Sequence, residues 1–202
     1  MISVEEALEK ILGKVHVLDA VRLPLLECLG LVLAEDVVSL VDVPSMTSSA
    51  MDGFAVIAGD TSGASPDSPK TLEVIGEVPA GTLPRQNVTS GTAIRIMTGA
   101  PVPSGADAVV QFEDTDEAER KRAGRGLTQV AVFREARSGL NIRLAGEDIP
   151  KGVVALQQGT LLRPAHIGVL ASMGLGTASV IRRPVVAVLA TGDELLEAGQ
   201  PP

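Results

Sequence analysis

Four short segments hold the side chains that could do chemistry. Asp52 lies in Ser49-Ala50-Met51-Asp52-Gly53-Phe54-Ala55. An Asp followed by Gly fits a tight turn where backbone approaches a ligand closely, and equally an Asx-turn that only joins two strands. Thr98-Gly99-Ala100-Pro101 follows the strand-like Ala93–Met97. A hydroxyl with free amides around a glycine could hold an oxyanion or a phosphate oxygen, or could be a plain β-turn. Arg143 stands near Gly146-Glu147-Asp148. An Arg beside carboxylates can serve an anion, a metal or a surface ion pair, the last worth about 0–1 kcal/mol. Thr191-Gly192-Asp193-Glu194 follows the aliphatic run Pro184–Thr191. Acids beyond the carboxyl end of a buried strand are placed for Mg2+ or a phosphorylated ligand, or they cap the next helix. Together these segments offer oxygen ligands, glycine turns and one Thr. That set suits Mg2+-assisted transfer at phosphates or oxyanions better than acyl transfer or zinc hydrolysis.

Composition narrows the classes further. Cys28 is the sole cysteine, which excludes an internal disulfide and a Cys-rich zinc site. His16 and His166 sit in apolar surroundings without a triad motif and read as structural. The net charge of -8 argues against a phosphate backbone as partner, and the near absence of aromatics removes base-stacking platforms, so no nucleic-acid partner is expected. No run approaches roughly 18 apolar residues, so no membrane span is expected. The N-terminus has no basic, apolar leader, and a cytoplasmic location is expected.

The elements that must position these side chains fall into two textures. Ser3 to Glu6 reads as a capping box, with Val4, Leu8, Ile11 and Leu12 on one helical face and Gly13 as the stop. Leu25–Ala34 reads as a second helix and Val37–Val43 as extended. Between 43 and 149 the apolar stretches become short: Phe54–Ile57, Thr71–Val78, Thr92–Met97, Ala108–Phe112, Leu127–Phe133 and Asn141–Leu144, separated by Gly, Pro, Ser and Asp. Short strands with such punctuation predict a β-rich module, a small barrel or sandwich. The mixed-charge stretch Asp114–Gly126 reads as a solvated hairpin tip. Pro164 opens a helix ended by Gly174, and Thr177–Ile181 reads as a strand. Pro184–Thr191 is continuous and β-branched, as in a strand buried on both faces of a parallel sheet. Such a strand needs a partner that the remaining residues are too few to supply, so the expectation is that an α/β domain follows beyond this chain.

Read in order, several segments are similar to the MoeA/gephyrin family of molybdopterin molybdenumtransferases. They are Glu27-Cys-Leu-Gly-Leu-Val-Leu-Ala-Glu-Asp36, Asp42-Val-Pro44, Ser49-Ala-Met-Asp-Gly-Phe-Ala55, Pro79-Ala-Gly81, Ile94-Arg-Ile-Met-Thr-Gly-Ala-Pro-Val-Pro103, Gly105-Ala-Asp-Ala-Val-Val110, Gly146-Glu-Asp-Ile149 and Thr191-Gly-Asp-Glu-Leu195. The resemblance implies an α+β, mixed fold: a β-rich, barrel-like module inserted in a small α/β module, followed by the first strand of a molybdopterin-binding α/β domain. The implied divisions are an N-terminal helix over 1–19, a small mixed module from 20–42 and 150–177, the β-rich module over 43–149, and the start of the pterin-binding domain over 178–202. The implied activity inserts molybdenum from molybdate into adenylylated molybdopterin with Mg2+ and releases AMP, in molybdenum cofactor biosynthesis. The implied assembly is a homodimer with its cleft between subunits, supplied by a molybdopterin adenylyltransferase as functional partner.

The resemblance assigns residues too. Asp52, Thr98, Asp148 and Glu194 fall on the family's functional acidic and Thr positions. Gly53, Gly99, Arg143 and Asp193 fall on substrate-binding ones, and Asp52 and Asp148 would help place Mg2+. One departure stands out: Thr47-Ser48 replaces the usual Asp-Asn or Asp-Arg pair. The resemblance also implies that these residues by themselves lack turnover. A second function class is open, a non-catalytic dimerisation or scaffold module, since gephyrin itself serves as a receptor scaffold.

Overall fold

The computed structural model describes residues 2–189, 191–192, 195–196 and 198–200. In chain order the elements are α1 (Val4–Leu12), β1 (Ala20–Pro24), β2 (Val37–Val38), β3 (Ser48–Ser49), β4 (Gly53–Val56), β5 (Lys70–Val78), β6 (Thr92–Ile96), β7 (Ala108–Gln111), α2 (Glu117–Arg122), β8 (Gln129–Val132), β9 (Ile142–Arg143), β10 (Val154–Leu156), α3 (Pro164–Ser172) and β11 (Thr177–Ile181). The chain forms two compact units, one of Met1–Val37 with Leu156–Pro202, the other of Val38–Ala155. The fold is mixed α/β and rich in sheet.

In Val38–Ala155 an open five-stranded sheet runs in the order β7-β4-β6-β5-β8. The β5–β6 pair is parallel, and the other three neighbouring pairs are antiparallel. Successive side chains on a strand point to opposite faces. Here both faces are covered. Phe54, Val56, Ala93, Val110 and Val130 pack on one side, and Ala55, Ile94, Ile96 and Val109 on the other. The short apolar stretches between 54 and 144 each emerge as a strand. The stretch Asp114–Gly126 departs from the expected hairpin tip. A 3-10 turn at Phe112–Asp114 leads into α2, and Glu117 of that helix is buried.

In the other unit, α1 starts as its sequence predicts: the Ser3 side chain accepts a hydrogen bond from the Glu6 amide at 3.1 Å. No residue of α1 is buried. The expected helix over Leu25–Ala34 is confined to a 3-10 turn, Leu25–Cys28. Gly30 then adopts a φ of +76°, a left-handed conformation that ends helical propagation. Val32 and Leu33 instead form single bridges to Leu161 and Val180. α3 begins at Pro164 as predicted, and His166 Nδ1 accepts the Arg163 amide at 3.2 Å, which gives that histidine a capping role. β11 pairs with β1 antiparallel, Ala20 opposite Ile181 and Pro24 opposite Thr177. Pro184–Leu189 forms no ladder among the described residues. Val185, Val186, Val188 and Leu189 are exposed, and the run expected to lack a partner within this chain forms no strand here. A β-branched run supplies propensity, but a strand exists only with a neighbour to pair with.

Candidate functional site

The segment 43–52 is the spine of the site. On one side it meets 97–102: Ser49 and Ala100 pair through the Ser49 amide, the Gly99 amide donates to Ser49 O at 2.8 Å, and the Val102 amide donates to Thr47 O. On its other side it meets 141–149. β3 pairs with β9, Ser48 opposite Arg143, and the Asp148 amide donates to Val43 O. The Ser49 hydroxyl folds the turn between β3 and β4, donating to Met51 O at 2.6 Å and accepting from the Met51 amide. Asn141 locks the arrangement with a φ of +55°. Its carbonyl accepts the Ala50 amide and its Nδ2 donates to Val109 O. An Asn tolerates that left-handed conformation far better than a β-branched residue.

This packing delivers Asp52 to Thr98. Asp52 Oδ1 accepts both the Thr98 amide at 2.7 Å and the Thr98 hydroxyl at 2.8 Å. Oδ2 accepts no hydrogen bond from the described residues. The carboxyl is exposed, and the Thr98 amide, then its hydroxyl, with a smaller contribution from the Arg95 charge, hold it below the usual Asp range. Donors that bind the ionised form favour it. Asp52 is therefore a solvent-facing carboxylate with one oxygen fixed and one available.

The glycines act differently from one another. A Cβ on Gly53 would sit 2.0 Å from Val110 O, so the close approach that demands glycine is to strand β7. Gly99 has a φ of +79° and open space where a Cβ would be. The expected free amides around Gly99 are engaged: Thr98 by Asp52, Gly99 by Ser49 O, and Ala100 by Met97 O. What Thr98-Gly99-Ala100 leaves toward solvent is the acceptor capacity of the Thr98 hydroxyl rather than a nest of donors. A recess of 240 Å3 adjoins, lined by Met46, Ser48, Thr82, Leu83, Gly99 and Pro101 among others.

Arg143 and Asp148 form an exposed ion pair. One guanidinium nitrogen reaches Asp148 Oδ1 at 2.7 Å and Oδ2 at 2.5 Å, and the carboxylate raises the Arg143 pKa further. Beside them, the Thr47 hydroxyl accepts the Ala145 amide at 3.3 Å and Ser48 is buried in the β3–β9 pair. So Thr47-Ser48 here serves the backbone of the 141–149 loop. Among the described residues Asp52 and Asp148 share no hydrogen-bond partner. Asp193 and Glu194 lie outside the described residues. Cys28 is buried, its Sγ 3.3 Å from Pro24 O, and burial pushes its thiol up, away from thiolate chemistry.

Among the described residues no group of three or more His, Cys, Asp and Glu side chains could hold a metal ion. Mg2+ is commonly held by one or two carboxylates together with substrate phosphates. Asp52, with Oδ2 open, fits that pattern. Asp148 fits it only once released from Arg143. No helix among the described residues is long and apolar enough to cross a membrane. Sequence reasoning passed over Arg95 and Glu117, a buried ion pair directly behind Gly53. The signal was an Arg flanked by Ile94 and Ile96 within the apolar run Ala93–Met97.

A mixed α/β, sheet-rich protein with an exposed carboxylate–hydroxyl pair is the class that fold and geometry define. The family model described as the MoeA N-terminal region (domain I and II) matches residues 2–174, and the chain belongs to that family. Molybdopterin molybdenumtransferase 2 of Mycobacterium tuberculosis (strain CDC 1551 / Oshkosh) is 40% identical over 201 residues, covering 100% of this chain and 48% of the relative. The molybdopterin molybdenumtransferase of Staphylococcus epidermidis (strain ATCC 12228 / FDA PCI 1200) is 42% identical over 196 residues, covering 97% of this chain and 45% of the relative. The crystal structure of the molybdopterin biosynthesis moeA protein from Pyrococcus horikoshii OT3 superposes with a TM-score of 0.79 at 38% identity, over 89% of this chain and 46% of that one. The chain thus spans about half the length of the curated relatives it matches.

Proposed function

We propose that the whole protein is a molybdopterin molybdenumtransferase, which transfers molybdenum from molybdate into adenylylated molybdopterin, uses Mg2+ and releases AMP. The observation that carries this reading is the Asp52–Thr98 contact, a carboxylate kept ionised by two donors on one oxygen with the other oxygen open. When bound, Mg2+ would supply a hard positive charge that neutralises phosphate oxygens. Asp52 Oδ2 would be its protein ligand, with Thr98 holding Asp52 in its rotamer and offering its hydroxyl oxygen to the ligand. Arg143 would meet an anionic group by exchanging Asp148 for it, a geometry its planar fork suits. Gly99 would leave open space beside Thr98, and Gly53 would let β4 pack against β7 so that Asp52 reaches the site. Asp193 and Glu194 would complete the ligand contacts. A homodimer in the cytoplasm, supplied by a molybdopterin adenylyltransferase, is the setting that fits.

The test is AMP release from adenylylated molybdopterin on adding molybdate and Mg2+. The whole protein should turn over, and these 202 residues alone should not, because the relatives' activity belongs to chains about twice as long. Turnover by the short chain at the whole protein's rate would overturn the second half. No AMP from the whole protein would overturn the first.

One observation favours a second reading, a non-catalytic dimerisation module: Val4, Leu8, Ile11 and Leu12 leave the apolar face of α1 exposed. AMP release by Asp52→Asn, read beside sedimentation of Leu8→Lys/Ile11→Lys, separates the two. Under the module reading this variant becomes monomeric while Asp52→Asn has no effect on AMP release.

A further inference from the structure

Arg95 and Glu117 pose a question that packing does not answer. Arg95 lies on β6 in the middle of the sheet, its side chain 9% exposed, and Glu117 on α2 is 1% exposed. Arg95 Nε donates to Glu117 Oε1 at 3.1 Å, and Oε2, 3.0 Å from the same nitrogen, has no hydrogen bond of its own. Lys121 reaches Oε1 from the surface at 2.6 Å. The guanidinium stands 5.6 Å from the centre of the Phe54 ring. Removing two charges from water is unfavourable, and well-packed apolar residues in their place are often no less stable. The pair therefore calls for a reason beyond stability.

The reason lies in where the remaining donors go. Arg95 Nη1 donates to Gly53 O at 3.2 Å and to Ile96 O at 2.7 Å. Gly53 and Ile96 are register partners at the ends of β4 and β6. Asp52 directly precedes Gly53, and Thr98 follows Ile96 by one intervening residue, Met97. A single nitrogen thus ties together the two strand ends from which the Asp52–Thr98 contact grows. Arg offers several donors in a rigid plane, which a Lys ammonium cannot reproduce. Glu117 fixes the opposite edge of that plane, and α2, whose Asp116 accepts the Ala131 amide of β8, fixes Glu117.

We propose that Arg95, held by Glu117, is the positioning residue of this site: its Nη1 sets the ends of β4 and β6 and thereby the Asp52–Thr98 contact. The proposal rests on the reading of Asp52 as the working carboxylate only for its effect on turnover, and its geometry can be tested without turnover.

Two variants decide the matter. Arg95→Lys keeps a cation over Phe54 without the fork. Arg95→Met/Glu117→Leu replaces the buried pair with apolar side chains of similar length. In the 15N-labelled chain, hydrogen exchange at the Thr98 amide reports the contact directly. In each variant that folds, Thr98 exchange should quicken about tenfold or more. In the whole protein kcat should fall about tenfold or more with KM within about twofold, as expected when a reacting group is displaced slightly. The double variant should melt no lower than wild type, which separates positioning from stability. Wild-type Thr98 exchange in either folded variant overturns the proposal. So does loss of the whole fold in both variants, which would make the pair structural. Should the wild-type protein release no AMP, the function assigned above fails while the amide measurements still decide this proposal.

Discussion

Asp52 is a carboxylate whose state is set chiefly by Thr98. The Thr98 amide contributes most to its lowered pKa and the Thr98 hydroxyl next. The sign follows from the shift. A group whose folded pKa lies below its unfolded value, ordinarily about 3.9 for Asp, stabilises the fold above that value. This stabilisation is lost as pH falls through the folded value. Thr98→Val removes the hydroxyl and keeps the amide, so the Asp52 midpoint should rise toward the ordinary range while staying below it. Carbon-detected titration of the Asp52 carboxyl measures this, and an unchanged midpoint would show that the hydroxyl does not act on it. Near neutral pH Asp52 is ionised in both proteins, so any change in turnover there reports ligand contact and not protonation. At this scale the sequence made Asp52 and Thr98 visible as side chains, but their direct bond depends on the β4–β6 register, Gly53 opposite Ile96, a long-range pairing that local patterns do not encode. Arg95 was hidden for a related reason, because Glu117 comes from another element.

At the scale of elements, glycine positions separate packing from conformation. Gly53 lies under strand β7, where a Cβ would press on Val110 O at 2.0 Å, whereas Gly99 has only its φ of +79° to lose. Gly53→Ala should therefore force β4 and β7 apart and lower stability by about 3 kcal/mol, the upper part of the usual overpacking range. Gly99→Ala should cost about 1–2 kcal/mol for a left-handed residue with a Cβ. Urea melts of the two variants test the order, and equal midpoints would contradict it. The strands were the most legible elements, because short apolar runs between Gly, Pro, Ser and Asp punctuation mark their length, and the runs are apolar throughout because both faces of the sheet are buried. Two misreadings have physical causes. Leu25, Cys28, Leu31 and Leu33 are buried with a spacing close to helical, yet the left-handed Gly30 breaks the turn and the chain continues in bridges. Glu117 was read as part of a solvated tip because its surroundings are charged, and only the fold reveals Arg95 beneath it.

At the scale of the molecule, the hydrogen-bond partners found for Asp52, Thr98, Arg143 and Asp148 all lie within Val38–Ala155. That unit also contains the whole five-stranded sheet and both of its apolar layers. A chain of residues 38–155 should thus fold and retain the hydrogen-bonded Thr98 amide, observed as a protected resonance at its position in the longer chain. A molten spectrum would show that the site needs Met1–Val37 or Leu156–Pro202. The family membership was legible at this scale from collinear motifs alone. For Val185–Leu189 the aliphatic run supplied strand propensity, and its exposure goes with the lack of a paired neighbour among the described residues.

The account stands on Asp52 as the carboxylate that works on the ligand. Its most direct test is steady-state AMP release by Asp52→Asn in the whole protein. The substitution keeps the side chain's shape and an oxygen for Thr98 while removing the charge. Turnover should fall roughly 10²–10³-fold, the scale of losing one preorganised electrostatic contact, with the melting temperature and oligomeric state unchanged. A variant that releases AMP at the wild-type rate would contradict the account.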